Sequence, residues 1–277
     1  GMGTWFSTAY PGLMPGPVAF FSMEFAIHNS LPLYAGGLGI LAGDICKEAS
    51  DMGLPLVGVG FMYPQGYFHQ YISPNDWQEE NYQQLNFAEA PVERVWGRDG
   101  RPLLVQLPLD ERSVHIAVWR VRVGRTDVYL LDTDVEQNAP ADRKLSARLY
   151  TADREQRIQQ EIVLGVGGVR VLRSLGIEPS VWHANEGHTA FMMLERVREQ
   201  VQKGMPFKEA VERVKANTVF TTHTPVPAGN EVFLDTLVSR YLHSYWRDLG
   251  IDQATFFKLG EEEGANGMTF NMTALGM

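Results

Sequence analysis

The chain has 277 residues, of which 44% are hydrophobic and 21% are charged, as is typical of a globular protein with a large core. Its net charge of -9 argues against a nucleic-acid partner, because proteins that bind nucleic acids cluster Lys and Arg to replace counterions. No stretch reaches the roughly 20 apolar residues that a membrane-spanning helix needs, so no membrane partner is expected. The single cysteine, Cys46, cannot form an internal disulfide, which favours a reducing, cytoplasmic location.

Two strands and one helix are predicted before residue 62. Apolar runs at 18–22 and 56–61 predict buried strands, and a glycine cluster at 34–39 leads into a helix between them. In that helix, apolar side chains recur every three or four positions and predict a buried face. The residues of this face are Leu41, Ile45, Ala49 and Met52. Strand, helix and strand at this spacing predict a right-handed parallel crossover.

The pattern of apolar and polar residues changes between residues 91 and 132. Short runs there partly alternate between apolar and polar residues and are separated by glycine-containing turns. This pattern predicts an antiparallel meander inserted into the fold. Strands and helices alternate again after it, with strands predicted at 181–183 and 218–222.

One long helix is predicted by an apolar stripe that ends before Gly176. The stripe consists of Ile158, Ile162, Val166, Val169 and Leu172. Three glycines inside it, at 165–168, are interpreted as permitting close helix packing rather than as a phosphate-binding loop. Two further helices are predicted at about 190–201 and 207–214.

These elements predict an α/β fold, with a Rossmann-like, mostly parallel sheet, helices on both faces and an antiparallel insertion at about 91–132. Three polar segments follow strands or open helices of this sheet, where open α/β sheets place their ligands. They are the first polar segment at 34–44, the second at 183–190 and the third at 221–231. Because the carboxyl ends of parallel strands share one edge, we expect the three segments to converge on a single site.

The first polar segment holds a glycine turn, Gly36-Gly37-Leu38, at the start of the predicted helix. Glycines let a ligand approach the backbone closely, and the first N–H groups of a helix carry partial positive charge, so the turn suits a phosphate or another anion. The same glycines would also suit a tight loop that binds nothing. The run at 37–42 fits the dinucleotide pattern G-x-G-x-x-A as well, but the strand at 56–61 leads into Met-Tyr without the acidic residue that this pattern requires.

The second and third polar segments carry three histidines, His183, His188 and His223, which could bind a metal together with Glu186. Ligand pairs on a helix stand four residues apart, whereas His183 and His188 are five apart across a turn. No metal site is therefore predicted. His183 is also suited to a core position where the backbone satisfies it, and Asn185 to a helix N-cap.

Six short motifs occur in one order along the chain. They are Ser-Met-Glu-Phe at 22–25, Tyr-Ala-Gly-Gly-Leu-Gly at 34–39, Gly-Tyr-Phe-His-Gln at 66–70, Arg-Ile-Gln-Gln-Glu at 157–161, His-Ala-Asn-Glu-Gly-His at 183–188 and Thr-Thr-His-Thr at 221–224. Together they resemble the α-glucan (glycogen and starch) phosphorylase family, particularly its shorter bacterial branch, from residue 18 to the end of the chain. The first and third polar segments also resemble glycogen synthases, which share the two-domain GT-B architecture, whereas the motifs at 66–70 and 157–161 favour the phosphorylase.

The resemblance implies that residues 18–277 form the Rossmann-like N-terminal half of a GT-B enzyme, after a lead-in at 1–17 whose Gly-Met start resembles an expression-tag remnant. It implies phosphorolysis of α-1,4-glucan ends by inorganic phosphate, giving glucose 1-phosphate. The family's cofactor, pyridoxal 5′-phosphate, is held as a Schiff base by a lysine of a C-terminal domain, and none of the six lysines here has that Asn-Met-Lys context. We therefore expect the C-terminal cofactor domain to be absent and this chain to be inactive alone. The expected partners are that domain, the α-1,4-glucan and inorganic phosphate, and a homodimer is left open.

The resemblance also implies roles for individual residues in catalysis and cofactor binding. Gly36, Gly37 and Leu38 match the family's loop over the cofactor phosphate and the glucosyl unit, so Leu38 is expected to contact the substrate too. His223 matches the family histidine that contacts the glucosyl unit. Asp153 is similar to the acidic residue of a gating loop near the sugar.

The second polar segment is implied to bind substrate. Asn185 and Glu186 fall where the family has an Asn-Asp pair on the acceptor side, and His188 of the same motif is expected to bind substrate with them. Two alternatives stay open, a glycogen or starch synthase domain and a non-catalytic glucan-binding module. In the second alternative, aromatic side chains would stack on sugar rings. The candidates for stacking are Tyr67, Phe68, Trp77 and Tyr82.

Overall fold

The structure, a computed structural model, describes residues 3–31, 33–63, 68–72, 78–82, 91–262 and 267–277. The strands are β1 (Val18–Phe21), β2 (Leu56–Phe61), β3 (Phe68–Ile72), β4 (Gln78–Tyr82), β5 (Glu93–Arg94), β6 (Leu104–Leu109), β7 (Arg112–Val123), β8 (Thr126–Asp132), β9 (Val181–Asn185), β10 (Thr218–Thr221), β11 (Val232–Leu234) and β12 (Thr269–Asn271). The helices are α1 (Trp5–Ala9), α2 (Gly37–Met52), α3 (Pro140–Arg143), α4 (Arg154–Ile162), α5 (Gly168–Ser174), α6 (Phe191–Gln202), α7 (Phe207–Lys215), α8 (Asp235–Asp248), α9 (Gln253–Lys258) and α10 (Met272–Gly276). Two interpretations above, the motif at 66–70 and the aromatic residues that could stack on sugars, fall partly outside the described residues. The residues concerned are Gly66, Tyr67 and Trp77, together with the side chains of Phe68 and Tyr82.

An eight-stranded sheet organises the fold, in the order β10-β9-β1-β2-β8-β7-β5 with β6 beside β7. The strands from β10 to β8 are parallel to one another. In its centre, Val18 of β1 lies opposite Leu56 of β2 and Val181 of β9. The predicted α/β fold, with a mostly parallel sheet and helices on both faces, is confirmed. β1 and β2 read as continuous apolar runs because a parallel strand is covered on both faces.

The predicted antiparallel segment at 91–132 is present as β5 to β8. β7 pairs antiparallel with β5, β6 and β8. β8 in turn pairs parallel with β2, with Val57 opposite Asp127. The segment therefore widens the central sheet rather than forming a separate layer. Two small antiparallel pairs, β3 with β4 and β11 with β12, lie outside this sheet.

The helix that follows the glycine turn is confirmed as α2, but its predicted buried face is confirmed only in part, since Ala49 is buried and Ile45 is partly buried against the core. Leu41 is 39% exposed, and the buried residues are mostly small. They are Gly39, Ala42, Gly43, Cys46, Ala49 and Ser50. A Cβ added to Gly43 would lie 2.0 Å from the carbonyl oxygen of Ala26. Small residues thus face inward because the helix runs too close to the neighbouring backbone for large ones.

The long helix predicted at 158–172 is confirmed as α4 and α5, joined by a π-helical segment at Val163–Gly167. It ends as predicted, with Gly176 in the left-handed region at φ +71°. A Cβ on Gly165 would lie 2.5 Å from the backbone nitrogen of Met192 in α6. The interpretation of these glycines as packing residues is confirmed.

Substitution of Gly43 by alanine should destabilise the protein by about 1–2 kcal/mol, although alanine favours a helix, because the added methyl group collides with the Ala26 carbonyl. Gly37→Ala is the matched control, since a Cβ there meets no described atom within 4 Å. Urea unfolding of both variants measures the difference. Equal midpoints for the two variants would show that the close approach of α2 does not constrain the fold.

Within the described ranges, no helix is long and apolar enough to cross a membrane.

Candidate functional site

The three polar segments meet at the carboxyl edge of the parallel strands, as predicted. His223, which follows β10, is hydrogen-bonded through Nε2 to Oδ1 of Asn185 at the end of β9, at 2.8 Å. Asn185 also donates through Nδ2 to the hydroxyl of Ser22, which follows β1, at 3.3 Å. The exits of three neighbouring strands are thereby connected by side-chain hydrogen bonds.

Glu24 attaches the glycine turn to the same edge. Its buried carboxylate accepts hydrogen bonds from the backbone N–H groups of Ala35, at 2.5 Å, and Gly36, at 3.3 Å. Its other oxygen accepts from the hydroxyl of Tyr150 at 3.2 Å. Sequence reasoning included Glu24 in a motif but gave it no role, since an isolated acid after a strand carries no local signal.

The glycine turn itself is open. Gly36 is the N-cap of α2 and contributes no side-chain hydrogen bond to the helix start. A Cβ on Gly36 or Gly37 would meet no described atom within 4 Å, and both residues are exposed. The protein's own packing therefore does not require glycine at these two positions, in contrast to Gly43. The first N–H groups of α2, those of Gly37 and Leu38, have no carbonyl one turn earlier in the helix to accept from them.

Glu186 binds the exit of β10 with both oxygens of its carboxylate. It accepts from the hydroxyl of Thr222 at 2.9 Å and from the backbone N–H of His223 at 2.8 Å. Its own N–H donates to the carbonyl of Thr221 at 2.7 Å. The backbone of Glu186 has φ +76° and ψ 162°, a region occupied almost only by glycine, so the surrounding contacts hold it in strain.

Two of the structural roles considered for the second segment are wrong. Asn185 does not cap a helix, because its side chain is 1% exposed and engages Ser22 and His223 instead. His183 is half-buried rather than in the core, and its Nε2 is satisfied by the hydroxyl of Thr221 at 2.7 Å rather than by the backbone. Burial lowers the pKa of His183. The direct partner of His183 across β9 and β10 is Val219, and Thr221 lies two residues farther along β10. Both side chains therefore bind polar groups at or near the exits of neighbouring strands.

Asp153 lies apart from these contacts. It is exposed and is the N-cap of α4, where its carboxylate accepts from the N–H groups of Glu155, at 3.0 Å, and Gln156, at 3.3 Å. Such a cap stabilises a helix start. The structure therefore gives Asp153 a helix-capping role, and its role near a sugar stays a prediction.

A buried ion network connects the third segment to Tyr150. The guanidinium of Arg157 is 2.9 Å from Glu231 and 3.3 Å from Glu161, and it lies 4.7 Å from the centre of the Tyr150 ring. Burial raises the pKa of Glu161 well above its ordinary value. Neither oxygen of Glu161 accepts a hydrogen bond within the described part of the chain, although the charge of Arg157 is 3.3 Å away. Glu231 has two cationic partners, because Arg154 lies 2.7 Å from its other oxygen.

His188 is buried beside this network. Its ring centre is 6.1 Å from that of Tyr150, and its Nε2 has no hydrogen-bond partner among the described residues. Burial, reinforced by the charges of Arg157 and His223, lowers its pKa to about 3. The imidazole is consequently neutral at physiological pH. The expected contact of His188 with substrate stays a prediction.

The histidines do not form a metal centre together. His183 is paired with Thr221, and His223 is paired with Asn185. In the ranges that the structure describes, no group of three or more His, Cys, Asp or Glu side chains is arranged to hold a metal ion.

Comparison with known proteins gives the family. No family model matches the chain. It is 46% identical to the maltodextrin phosphorylase of Thermococcus litoralis, over 98% of this chain and 32% of that protein. It is 40% identical to the glycogen phosphorylase of Aquifex aeolicus, over 94% of this chain and 38% of that protein. It is 41% identical to the glycogen phosphorylase of Mycobacterium tuberculosis, over 95% of this chain and 32% of that protein.

The resemblance seen in the six motifs thus extends over nearly the whole chain. The chain spans about a third of the length of these curated relatives. Identities of 40% and above over this span show that the chain belongs to the glycogen and maltodextrin phosphorylase family, as an N-terminal part of it.

Proposed function

We propose that this chain supplies the N-terminal half of the active site of an α-glucan phosphorylase. The reaction is phosphorolysis of an α-1,4-glucan end by inorganic phosphate to give glucose 1-phosphate. The observation that carries the proposal is the position of His223, an exposed imidazole fixed by Asn185 and Glu186 at the edge where the open glycine turn also lies. Residues 18–277 act in this proposal as one domain facing the domain that carries the cofactor lysine.

The glycine turn fits a phosphate-bearing cofactor. Gly36 gives no side-chain cap, and the space around Gly36 and Gly37 is open, so a phosphate can reach the N–H groups of Gly37 and Leu38. These two groups would hold the phosphate of pyridoxal 5′-phosphate. When bound, the cofactor supplies a phosphate group that can exchange a proton with the substrate phosphate. Glu24 keeps the turn in place by accepting from Ala35 and Gly36.

The remaining residues bind and orient the sugar. His223 presents its imidazole to a hydroxyl of the glucosyl unit, while Glu186 fixes the backbone from which that imidazole extends. Leu38 covers the same unit from the glycine turn. Cys46 takes no part, since it is fully buried and its pKa is raised by burial to about 12, which suits a structural thiol in a reducing cytoplasm.

The proposal is tested on a phosphorylase-length protein that carries these residues. With maltodextrin and inorganic phosphate, we expect release of glucose 1-phosphate that requires phosphate and pyridoxal phosphate. The same protein with a nucleotide-activated glucose should transfer no glucose to maltodextrin. Transfer from the nucleotide sugar without phosphorolysis would identify a synthase instead, and glucan binding with neither reaction would identify a binding module.

A further inference from the structure

A chain of hydrogen bonds leads from the backbone after β1 to the imidazole of His223. The hydroxyl of Ser22 donates to the carbonyl of Glu24 at 2.9 Å. Nδ2 of Asn185 lies 3.3 Å from that hydroxyl, and Oδ1 of Asn185 lies 2.8 Å from Nε2 of His223. Ser22 and Asn185 are almost fully buried, whereas His223 is exposed.

The chemistry of these groups fixes the direction of every bond in the chain. A serine hydroxyl has one hydrogen, and Ser22 gives it to the Glu24 carbonyl, so Ser22 can only accept from Asn185. Asn185 must therefore turn its amino group toward Ser22 and its carbonyl oxygen toward His223. The opposite orientation of the amide would take the Ser22 hydrogen and leave a buried carbonyl without its donor.

The orientation of Asn185 decides which nitrogen of His223 carries the proton. A carbonyl oxygen only accepts, so Nε2 of His223 must be the N–H, and Nδ1 of the neutral ring keeps the lone pair. Within the described residues Nδ1 forms no hydrogen bond, and Glu186 fixes the backbone N–H of His223 at 2.8 Å. The imidazole is thus held at its backbone and at one ring nitrogen, with the other nitrogen free to accept.

We propose that Asn185, oriented by Ser22, is a positioning residue that keeps His223 in the Nε2–H form and leaves Nδ1 as the acceptor for a ligand hydroxyl. Asn185 then acts through His223 rather than on the sugar, which agrees with its burial and with the engagement of both ends of its amide. The identification of the ligand as a sugar rests on the proposed function, whereas the position of the proton on the His223 ring does not depend on it.

The test is a long-range ¹H–¹⁵N correlation spectrum of the 277-residue chain with labelled histidine, at about pH 8, where an ordinary imidazole is neutral. The His223 signals are assigned by their loss in His223→Gln. We expect a proton on Nε2 that exchanges slowly with water, and a bare Nδ1. A proton on Nδ1 in the unsubstituted protein would overturn the proposal without any variant.

Two variants of Asn185 separate positioning from folding. Asn185→Leu should make the Nε2 proton exchange about 10-fold faster, because one hydrogen bond is lost, while Asn185→Asp, which keeps an acceptor, should retain slow exchange. His183 is an internal reference, since its Nε2 contacts Thr221 and its signals should not move. Unchanged exchange in Asn185→Leu would contradict the proposal.

Ser22→Ala tests whether Ser22 orients the amide of Asn185. It also tests the proposal if the Asn185→Leu protein fails to fold. Without the Ser22 hydroxyl the amide can present either end to His223, so the fraction of Nε2–H should fall. An undiminished fraction would show that Ser22 does not orient Asn185. Because these spectra need no substrate, a protein that gives the expected pattern but no phosphorolysis would retain this inference and lose the proposed function.

Discussion

Replacement of Arg157 by methionine should lower the free energy of unfolding by about 1.5–3 kcal/mol, because it removes a buried guanidinium that is hydrogen-bonded to Glu231 and leaves that carboxylate with Arg154 as its remaining counter-charge. Arg157 is buried and lies 2.9 Å from Glu231, while burial raises the pKa of Glu161 on its other side well above its ordinary value. Methionine is unbranched and apolar, so it keeps the packing of the side-chain stem, whereas the guanidinium contact with the Tyr150 ring is lost together with the charge. Urea unfolding at pH 7 measures it.

The charged partners of Arg157 and an exposed ion pair elsewhere supply the controls for this prediction. Glu231→Gln in the Arg157→Met background should cost at most about 1 kcal/mol more, since the ion pair that remains for Glu231 is with Arg154, which is 53% exposed. Glu161→Gln in the unsubstituted protein should change stability by less than about 1 kcal/mol, because burial already disfavours a charged carboxylate at this position and raises its pKa. Arg122→Met breaks an exposed pair with Asp127 and should cost at most about 1 kcal/mol. A loss from Arg157→Met no larger than that of Arg122→Met would show that the network is not needed for stability.

The strands and the place of the site could be predicted because their signals are local. Apolar runs specify β1 and β2, and the carboxyl ends of parallel strands lie at one edge of the sheet. The sequence therefore predicts that His223 and Asn185 lie near each other, and their 2.8 Å contact confirms it. The glycines at 165–168 could also be interpreted correctly, because they interrupt a helix that otherwise has no break.

Features that depend on distant parts of the chain could not be predicted. The inward face of α2 is set by the Ala26 backbone, so Leu41 is left outward although its spacing suited the core. Asn185 precedes a helical turn, which suggests a helix cap, but its amide binds Ser22 and His223 at the ends of the neighbouring strands. Arg157 and Glu231 are 74 residues apart, and no periodicity connects them. The local sign of the Arg157 network is the spacing of Arg157 and Glu161, two charged residues four positions apart in a buried helix.

Phosphorolysis should depend strongly on His223. In a phosphorylase-length protein, His223→Ala should lower kcat/KM by roughly 5- to 150-fold, the equivalent of about 1–3 kcal/mol for lost polar contacts to the glucosyl unit. The melting temperature should change little, because His223 is exposed and, among the described residues, its side chain makes one hydrogen bond, to Asn185. Glucose 1-phosphate release at varied maltodextrin concentration, with thermal unfolding of the same samples, measures both quantities.

The matched control is His243→Ala, which removes an imidazole from α8, outside all three polar segments, and should leave kcat/KM unchanged. Asn185→Asp should retain much more activity than His223→Ala, since it keeps an acceptor for Nε2 of His223. Near-normal phosphorolysis by a folded His223→Ala protein would show that the imidazole does not contact the sugar. A large fall in melting temperature would instead show that His223 stabilises the edge between β9 and β10, where Glu186 and Asn185 already connect the two strand exits.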